Sequence, residues 1–127
     1  KGPKRARALR RGAAFVVVRA DGALLVRTRP ARGLLGGMTE VPGTEWSADF
    51  VGVEAPVAQP LAAAFRRLPG VVTHVFTHFP LELMVYRADV PEMTPPPPGM
   101  RWIGGDEIAG EAFPTVMRKV IAHALPS

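Results

Sequence analysis

The chain has 127 residues and a single composition regime, so it reads as one domain, long enough to bury roughly two thirds of the surface its unfolded form exposes. At 47% hydrophobic and 21% charged it has the make-up of a globular protein, and no apolar run approaches the roughly 20 residues of a membrane span. Cysteine is absent, which excludes disulfides, thiolate zinc sites, iron–sulfur clusters and cysteine nucleophiles from these residues, and the net charge of +5 is gathered at one end.

That end is residues 1–11. Lys1, Lys4, Arg5, Arg7, Arg10 and Arg11 supply six positive charges, and no acid precedes Asp21. Without those six, ten basic residues face eleven acidic ones, so the body carries about −1. Residues 1–11 therefore read as a basic arm and 12–127 as the domain. Such an arm suits contact with phosphates, and it equally suits a linker from a preceding segment. The start without methionine, at Lys-Gly-Pro-Lys, has the character of a connector inside a longer chain.

Ala13–Arg19 and Ala23–Arg29 are β-branched, apolar runs around Asp21-Gly22, a strong hairpin signal. A glycine-rich loop with a short strand follows, R-G-L-L-G-G-M-T-E-V-P-G, then a stretch to Pro56 without clear pattern. Val57–Leu68 is rich in alanine and predicts a helix, with Pro60 in its first turn and Pro69-Gly70 at its end. Val71–Phe79 and Leu81–Val90 predict two strands joined near His78-Phe79-Pro80. In the second, Leu81, Leu83 and Val85 share one face and Met84 and Tyr86 the other. Pro95–Pro98 make a stiff polyproline connector to a last strand at Arg101–Gly104. Asp106-Glu107 open a helical turn, and Pro114–Leu125 predicts an amphipathic helix. There are no internal repeats.

This order resembles the Nudix fold, an α+β class: a small mixed or antiparallel sheet flanked by helices. Its hydrolase members carry a glutamate-rich helix that binds magnesium. Hard cations bridging phosphates need several carboxylate oxygens. Residues 55–81 contain no Asp or Glu, so the Nudix box is missing and Ala62-Ala63-Ala64-Phe65-Arg66-Arg67-Leu68 stand in its place. His74 and His78 lie in strand-like sequence about 13 Å apart, with no third ligand beside them, which favours a structural His74 over a metal site. Thr77-His78 lacks the orienting acid of a nucleophilic triad. Asp106-Glu107 reads either as a paired-carboxylate site or as charges placed at a helix start. Gly33–Gly37 lacks the Lys-Ser/Thr of a P-loop, and its glycines serve a tight turn or a close backbone approach. Arg27 and Arg29 share one strand face and could meet phosphates or remain solvated.

Two motifs in order carry a closer resemblance. Arg29-Pro30 precedes Gly33-Leu34-Leu35-Gly36-Gly37-Met38-Thr39-Glu40-Val41-Pro42, and His74-Val75-Phe76-Thr77-His78 is followed by Leu81. From about Arg10 to Leu125 the chain resembles the C-terminal domain of MutY-type adenine DNA glycosylases, which remove adenine mispaired with 8-oxoguanine. The resemblance implies a Nudix-like domain without hydrolase activity that reads the oxidised guanine. A separate N-terminal helical domain bearing an iron–sulfur cluster would perform the excision, and no cofactor is expected here. The family's Phe-Ser-His reading loop falls on Phe76, Thr77 and His78. Arg29, Arg32, Arg10 and Arg11 are the candidate phosphate contacts. Expected partners are double-stranded DNA containing 8-oxoguanine opposite adenine and the chain's own catalytic domain, with no membrane, in a monomer inside the cell at the bacterial nucleoid. The readings from other classes are a Nudix-type hydrolase of an oxidised or small nucleotide and a non-catalytic protein-interaction module.

The chemistry of that reading is direct. Guanine presents a ring-nitrogen acceptor in the major groove. Oxidation makes that nitrogen a donor and adds a carbonyl acceptor beside it. A hydroxyl accepts and donates, so Thr77 meets both groups, His78 adds a hydrogen bond, and Phe76 stacks or wedges beside the base. The chain departs from the family where threonine replaces the serine and where Leu-Trp-Glu-Phe-Pro becomes Met38-Thr39-Glu40-Val41-Pro42.

Overall fold

The computed structural model describes residues 8–126. Lys1, Lys4, Arg5 and Arg7 of the predicted arm lie outside them. Seven strands form a mixed sheet: β1 (Arg10–Arg19), β2 (Leu24–Thr28), β3 (Thr39–Glu40), β4 (Arg66–Arg67), β5 (Val72–Val75), β6 (Pro80–Val90) and β7 (Arg101–Ile103). One α-helix, α1 (Thr115–Ala124), closes the described chain, and 3-10 turns occupy Gly52–Ala58 and Gly105–Gly110.

The β1–β2 hairpin turns at Asp21-Gly22 as its sequence requires. Gly22 has φ +90°, a conformation open to glycine at no steric cost, and its N–H donates to the Arg19 carbonyl at 2.8 Å. β1 then runs parallel to β6 over its whole length, Arg10 opposite Leu81 through Arg19 opposite Val90. β5 pairs antiparallel with the start of β6, β4 with Arg87 and Tyr86 further along, and β7 and β3 both pair with β2.

β1 is buried on both faces, which explains its unbroken apolar run. Ala14 and Val16 face α1 together with Leu81, Leu83 and Val85 of β6, against Val116, Met117 and Val120. Ala13, Phe15 and Val17 face the other side, where Phe50, Ala55, Leu61, Ala63 and Phe65 cover them. Phe15 meets Phe65 edge-on, ring centres 5.5 Å apart.

Three expectations differ from this architecture, the first being the strand predicted over Val71–Phe79, which ends at Val75 and leaves Thr77 and His78 in the turn. The helix predicted over Val57–Leu68 is not formed: a 3-10 turn ends at Ala58, residues 59–65 have no helix or strand, and β4 follows. Leu61, Ala63 and Phe65 point inward while Ala62 and Ala64 are exposed, a period of two that buries every second side chain on Val17 and Leu25. Alanine's helix propensity is a few tenths of a kcal/mol per residue, and packing of two large side chains outweighs it. The boundary of the arm also moves. Arg10 and Arg11 belong to β1, where Arg11 exchanges backbone hydrogen bonds with Ser47 at 3.0 Å and its guanidinium pairs with Glu82 at 3.0 Å.

Candidate nucleic-acid interface

β5 and β6 meet in a tight hairpin whose loop is Thr77-His78. The Phe76 N–H donates to the Phe79 carbonyl at 2.9 Å, closing the turn and pushing the two loop residues outward. Thr77 and His78 are both exposed, and among the described residues neither side chain is hydrogen-bonded to the protein. A hydroxyl and an imidazole thus stand side by side at a protruding tip.

Phe76 is placed differently. It is half-buried, stacked on Trp46 with ring centres 5.9 Å apart, tilted against Phe79 at 5.1 Å, and met edge-on by His74 at 4.7 Å. In this structure its ring is packed among the aromatic side chains that hold the hairpin. Phe79 is buried, with the Arg10 guanidinium 4.1 Å above its ring centre.

The glycine-rich loop packs beside this aromatic group. Gly33 (φ +98°) and Gly37 (φ +76°) turn the chain, and at Gly36 a Cβ would stand 2.2 Å from the Ala31 carbonyl oxygen. The glycines therefore serve turn and close approach, the two uses read from the sequence. Leu35 takes φ +57°, at a cost of about 1 kcal/mol, and is held there by packing on the main core.

Next to the loop, Glu40 accepts from Arg27 Nε at 2.8 Å through one carboxylate oxygen and from Arg29 Nη1 at 2.7 Å through the other. Arg29 also donates to the Leu34 carbonyl at 3.0 Å and lies 4.9 Å over the Trp46 ring. Of the four candidate phosphate contacts, Arg29 and Arg11 are paired with carboxylates, Arg29 half-buried and Arg11 exposed, whereas Arg10 and Arg32 are exposed and have no carboxylate partner among the described residues. Arg10, Arg29, Arg32 and Trp46 line a cleft of about 580 Å³ that excludes Thr77 and His78 but borders their hairpin through Arg10 and Trp46.

His74 sits in β5 rather than at the tip. Lys119 Nζ donates to its Nδ1 at 3.1 Å, leaving the ring proton on Nε2, and also to the Thr73 carbonyl at 3.0 Å. Burial, and then the Lys119 charge, hold its pKa below the usual 6.5. The folded chain binds this proton less readily than the unfolded one. Stability linked to His74 is therefore complete above pH 6.5 and declines as pH falls from 6.5 through the lower folded value. A proton NMR titration is expected to place the His74 midpoint below 6.5, and Lys119→Met to raise it part of the way, since the burial remains. A midpoint at or above 6.5 in the unmodified chain contradicts this arrangement. Glu107 accepts from the Gly104 N–H at 2.6 Å, which makes it the cap of the second 3-10 turn. Among the described residues no three His, Asp or Glu side chains are grouped to hold a metal ion, and no helix is long and apolar enough to cross a membrane.

Sequence reading missed Trp46, Phe79 and Glu40 as parts of this region. Trp46 lies where no periodicity guides the eye. Glu40 had one signal, a lone acid between Thr39 and Val41 near two arginines on one strand face.

Comparisons with known proteins follow the same lines. The profile of the NUDIX domain family matches residues 13–123. The chain is 34% identical over 107 residues to the adenine DNA glycosylase of Homo sapiens, covering 76% of this chain and 20% of that protein. It is 31% identical over 121 residues to the Mus musculus adenine DNA glycosylase, covering 84% and 24%. The chain thus spans about a fifth to a quarter of the curated relatives it matches. Among solved structures, the C-terminal domain of mouse MUTYH, determined in complex with human PCNA, superposes with a TM-score of 0.72 at 25% identity, over 91% of this chain and 86% of that one. The MutT protein from Methanosarcina mazei superposes at 0.64 with 15% identity, over 90% and 91%, a likeness of fold alone.

Proposed function

Starting from a chain that belongs to the NUDIX domain family, we propose that residues 8–126 are the lesion-reading domain of an adenine DNA glycosylase. What supports this is the exposed Thr77-His78 tip, whose sequence resembles the reading loop of MutY-type glycosylases, on a fold similar to the MUTYH C-terminal domain. Thr77 Oγ1 donates to the added carbonyl of 8-oxoguanine and accepts from its protonated ring nitrogen, and His78 contributes a further hydrogen bond. Phe76 supports the tip from behind. Arg10, Arg32 and the exposed Arg11 carry the phosphate contacts, with Arg29 held back by Glu40.

On this reading the domain is inactive alone. Excision of adenine belongs to another part of a longer protein, which also holds the iron–sulfur cluster, since this chain has no cysteine. Hydrolysis of nucleotides is disfavoured because residues 55–81 offer no carboxylate and 59–65 form no helix. The protein works on DNA inside the cell.

Deleting residues 8–126 from the full-length protein tests the assignment. Adenine excision from guanine:adenine duplexes is expected to persist, while the preference for 8-oxoguanine:adenine collapses. An unchanged preference, or magnesium-dependent release of pyrophosphate from oxidised dGTP by the isolated domain, refutes it.

A further inference from the structure

Trp46 is not part of either motif that pointed to the tip, yet the fold builds a seat for it at the base of the hairpin. Residues 43–47 run along β1: the Ala13 N–H donates to Thr44 Oγ1 at 2.9 Å, Thr44 N–H to the Ala13 carbonyl at 3.0 Å, and Ser47 pairs with Arg11. This lays the indole directly over Gly12, where a Cβ would stand 2.8 Å from Trp46 Cδ1. The Arg29 guanidinium lies over the ring, itself anchored by Glu40 and the Leu34 carbonyl. Phe76, the residue before Thr77, stacks on the same indole with planes 25° apart.

Phe79 and His74 also meet Phe76, but both belong to the hairpin itself, whereas Trp46 comes from outside it. β5 is four residues long and pairs only with β6. Beyond Val75, one backbone hydrogen bond, from Phe76 to Phe79, closes the turn. Trp46 reaches Phe76 from the segment bridged to β1, and so ties the tip to that strand and to the arginine-lined cleft.

We propose that Trp46 is a specificity-determining positioning residue: its contact with Phe76 sets where Thr77 and His78 stand relative to the exposed Arg10 and Arg32 that hold phosphate. This rests on the lesion-reading function proposed above. Trp46 touches neither base nor phosphate in this scheme. It acts through Phe76, by removing alternative positions of the tip before DNA binds.

The test uses the full-length protein and the ratio of excision rates on 8-oxoguanine:adenine over guanine:adenine duplexes. Trp46→Ala is expected to lower that ratio roughly tenfold, within the range of one bidentate base contact, with the guanine:adenine rate within about twofold. Trp46→Phe keeps a ring against Phe76 and is expected to retain the ratio within about threefold. Gly12→Ala leaves the indole in the chain but crowds it together with Thr44 Oγ1 at 2.9 Å and the Glu45 carbonyl at 3.2 Å, so it displaces the segment that seats the indole and is expected to lower the ratio in the same direction. It decides the matter if Trp46→Ala fails to fold. A ratio unchanged in Trp46→Ala, or in Gly12→Ala when it stands alone, overturns the proposal, as do equal losses on both duplexes or a Trp46→Phe as impaired as Trp46→Ala. A Thr77→Ala/His78→Ala control separates the two failures. If that control keeps the ratio, the lesion-reading function falls and this inference with it. If it loses the ratio while the Trp46 and Gly12 variants do not, only the role of Trp46 falls.

Discussion

Glu40→Ala is expected to lower the unfolding free energy by about 3 kcal/mol, near the low end for breaking a buried ion pair. The carboxylate is 7% exposed and neutralises two guanidinium groups at once, with Arg27 33% and Arg29 19% exposed. Removing it strands two positive charges against each other on one strand face. Partial exposure lets Arg27 swing toward water, which is why the low end applies. Arg29 has less freedom, because Trp46 and the Leu34 carbonyl hold it in place. Glu40→Gln keeps an acceptor oxygen and is expected to cost about half as much. Urea denaturation followed by circular dichroism measures the difference, and the thermal midpoint should fall by roughly 10 °C. In an Arg29→Leu background the same Glu40→Ala change should cost less, since one stranded charge is already gone. A loss under 0.5 kcal/mol in the unmodified background contradicts the ion-pair geometry.

Thr77→Ala and His78→Ala are each expected to lower the preference for 8-oxoguanine over guanine by about 1–3 kcal/mol, roughly 5- to 150-fold, in the full-length protein. The rate on guanine:adenine duplexes should stay close to its starting value, because guanine lacks the adjacent ring N–H and C8 carbonyl that the hydroxyl meets together in 8-oxoguanine. Stability is not the cause of such a loss. Both residues are exposed and unpaired among the described residues, so each substitution should change folding by less than about 0.5 kcal/mol. Thr77→Ser keeps the hydroxyl and removes the methyl that restricts its rotamer, so it should match the threonine within a few-fold. Equal loss on both substrates would mean that the tip does not read the lesion.

The same residues show how far sequence reasoning reached. The junction near His78-Phe79-Pro80 was legible, but the strand was read through to Phe79, and only the Phe76–Phe79 closure ends it early and puts Thr77 and His78 at the tip. The glycine loop was legible too, as positions demanding positive φ or a missing Cβ. The partners of Arg29 were not. From sequence, a strand-face arginine near a basic arm suits phosphate equally well, and only the β2–β3 pairing, with Arg27 opposite Glu40, brings the carboxylate under both guanidinium groups. The exposure of the tip likewise depends on where β6 and its neighbours lie.

The sequence alone determined the strands other than β4, the Asp21-Gly22 turn, the C-terminal helix and the loss of a carboxylate-bearing metal helix. Each of these follows from spacings of two to four residues or from a residue type being absent. Tertiary structure decided the extended course of residues 59–65, the membership of Arg10 and Arg11 in β1, and the Glu40–Arg29–Trp46–Phe76 chain of contacts behind the tip. Those outcomes turn on side chains far apart in sequence competing for the same surface. Burial of Leu61 and Phe65 on the sheet outweighs alanine's small helical preference, and a charge takes whichever partner the strand register brings within reach.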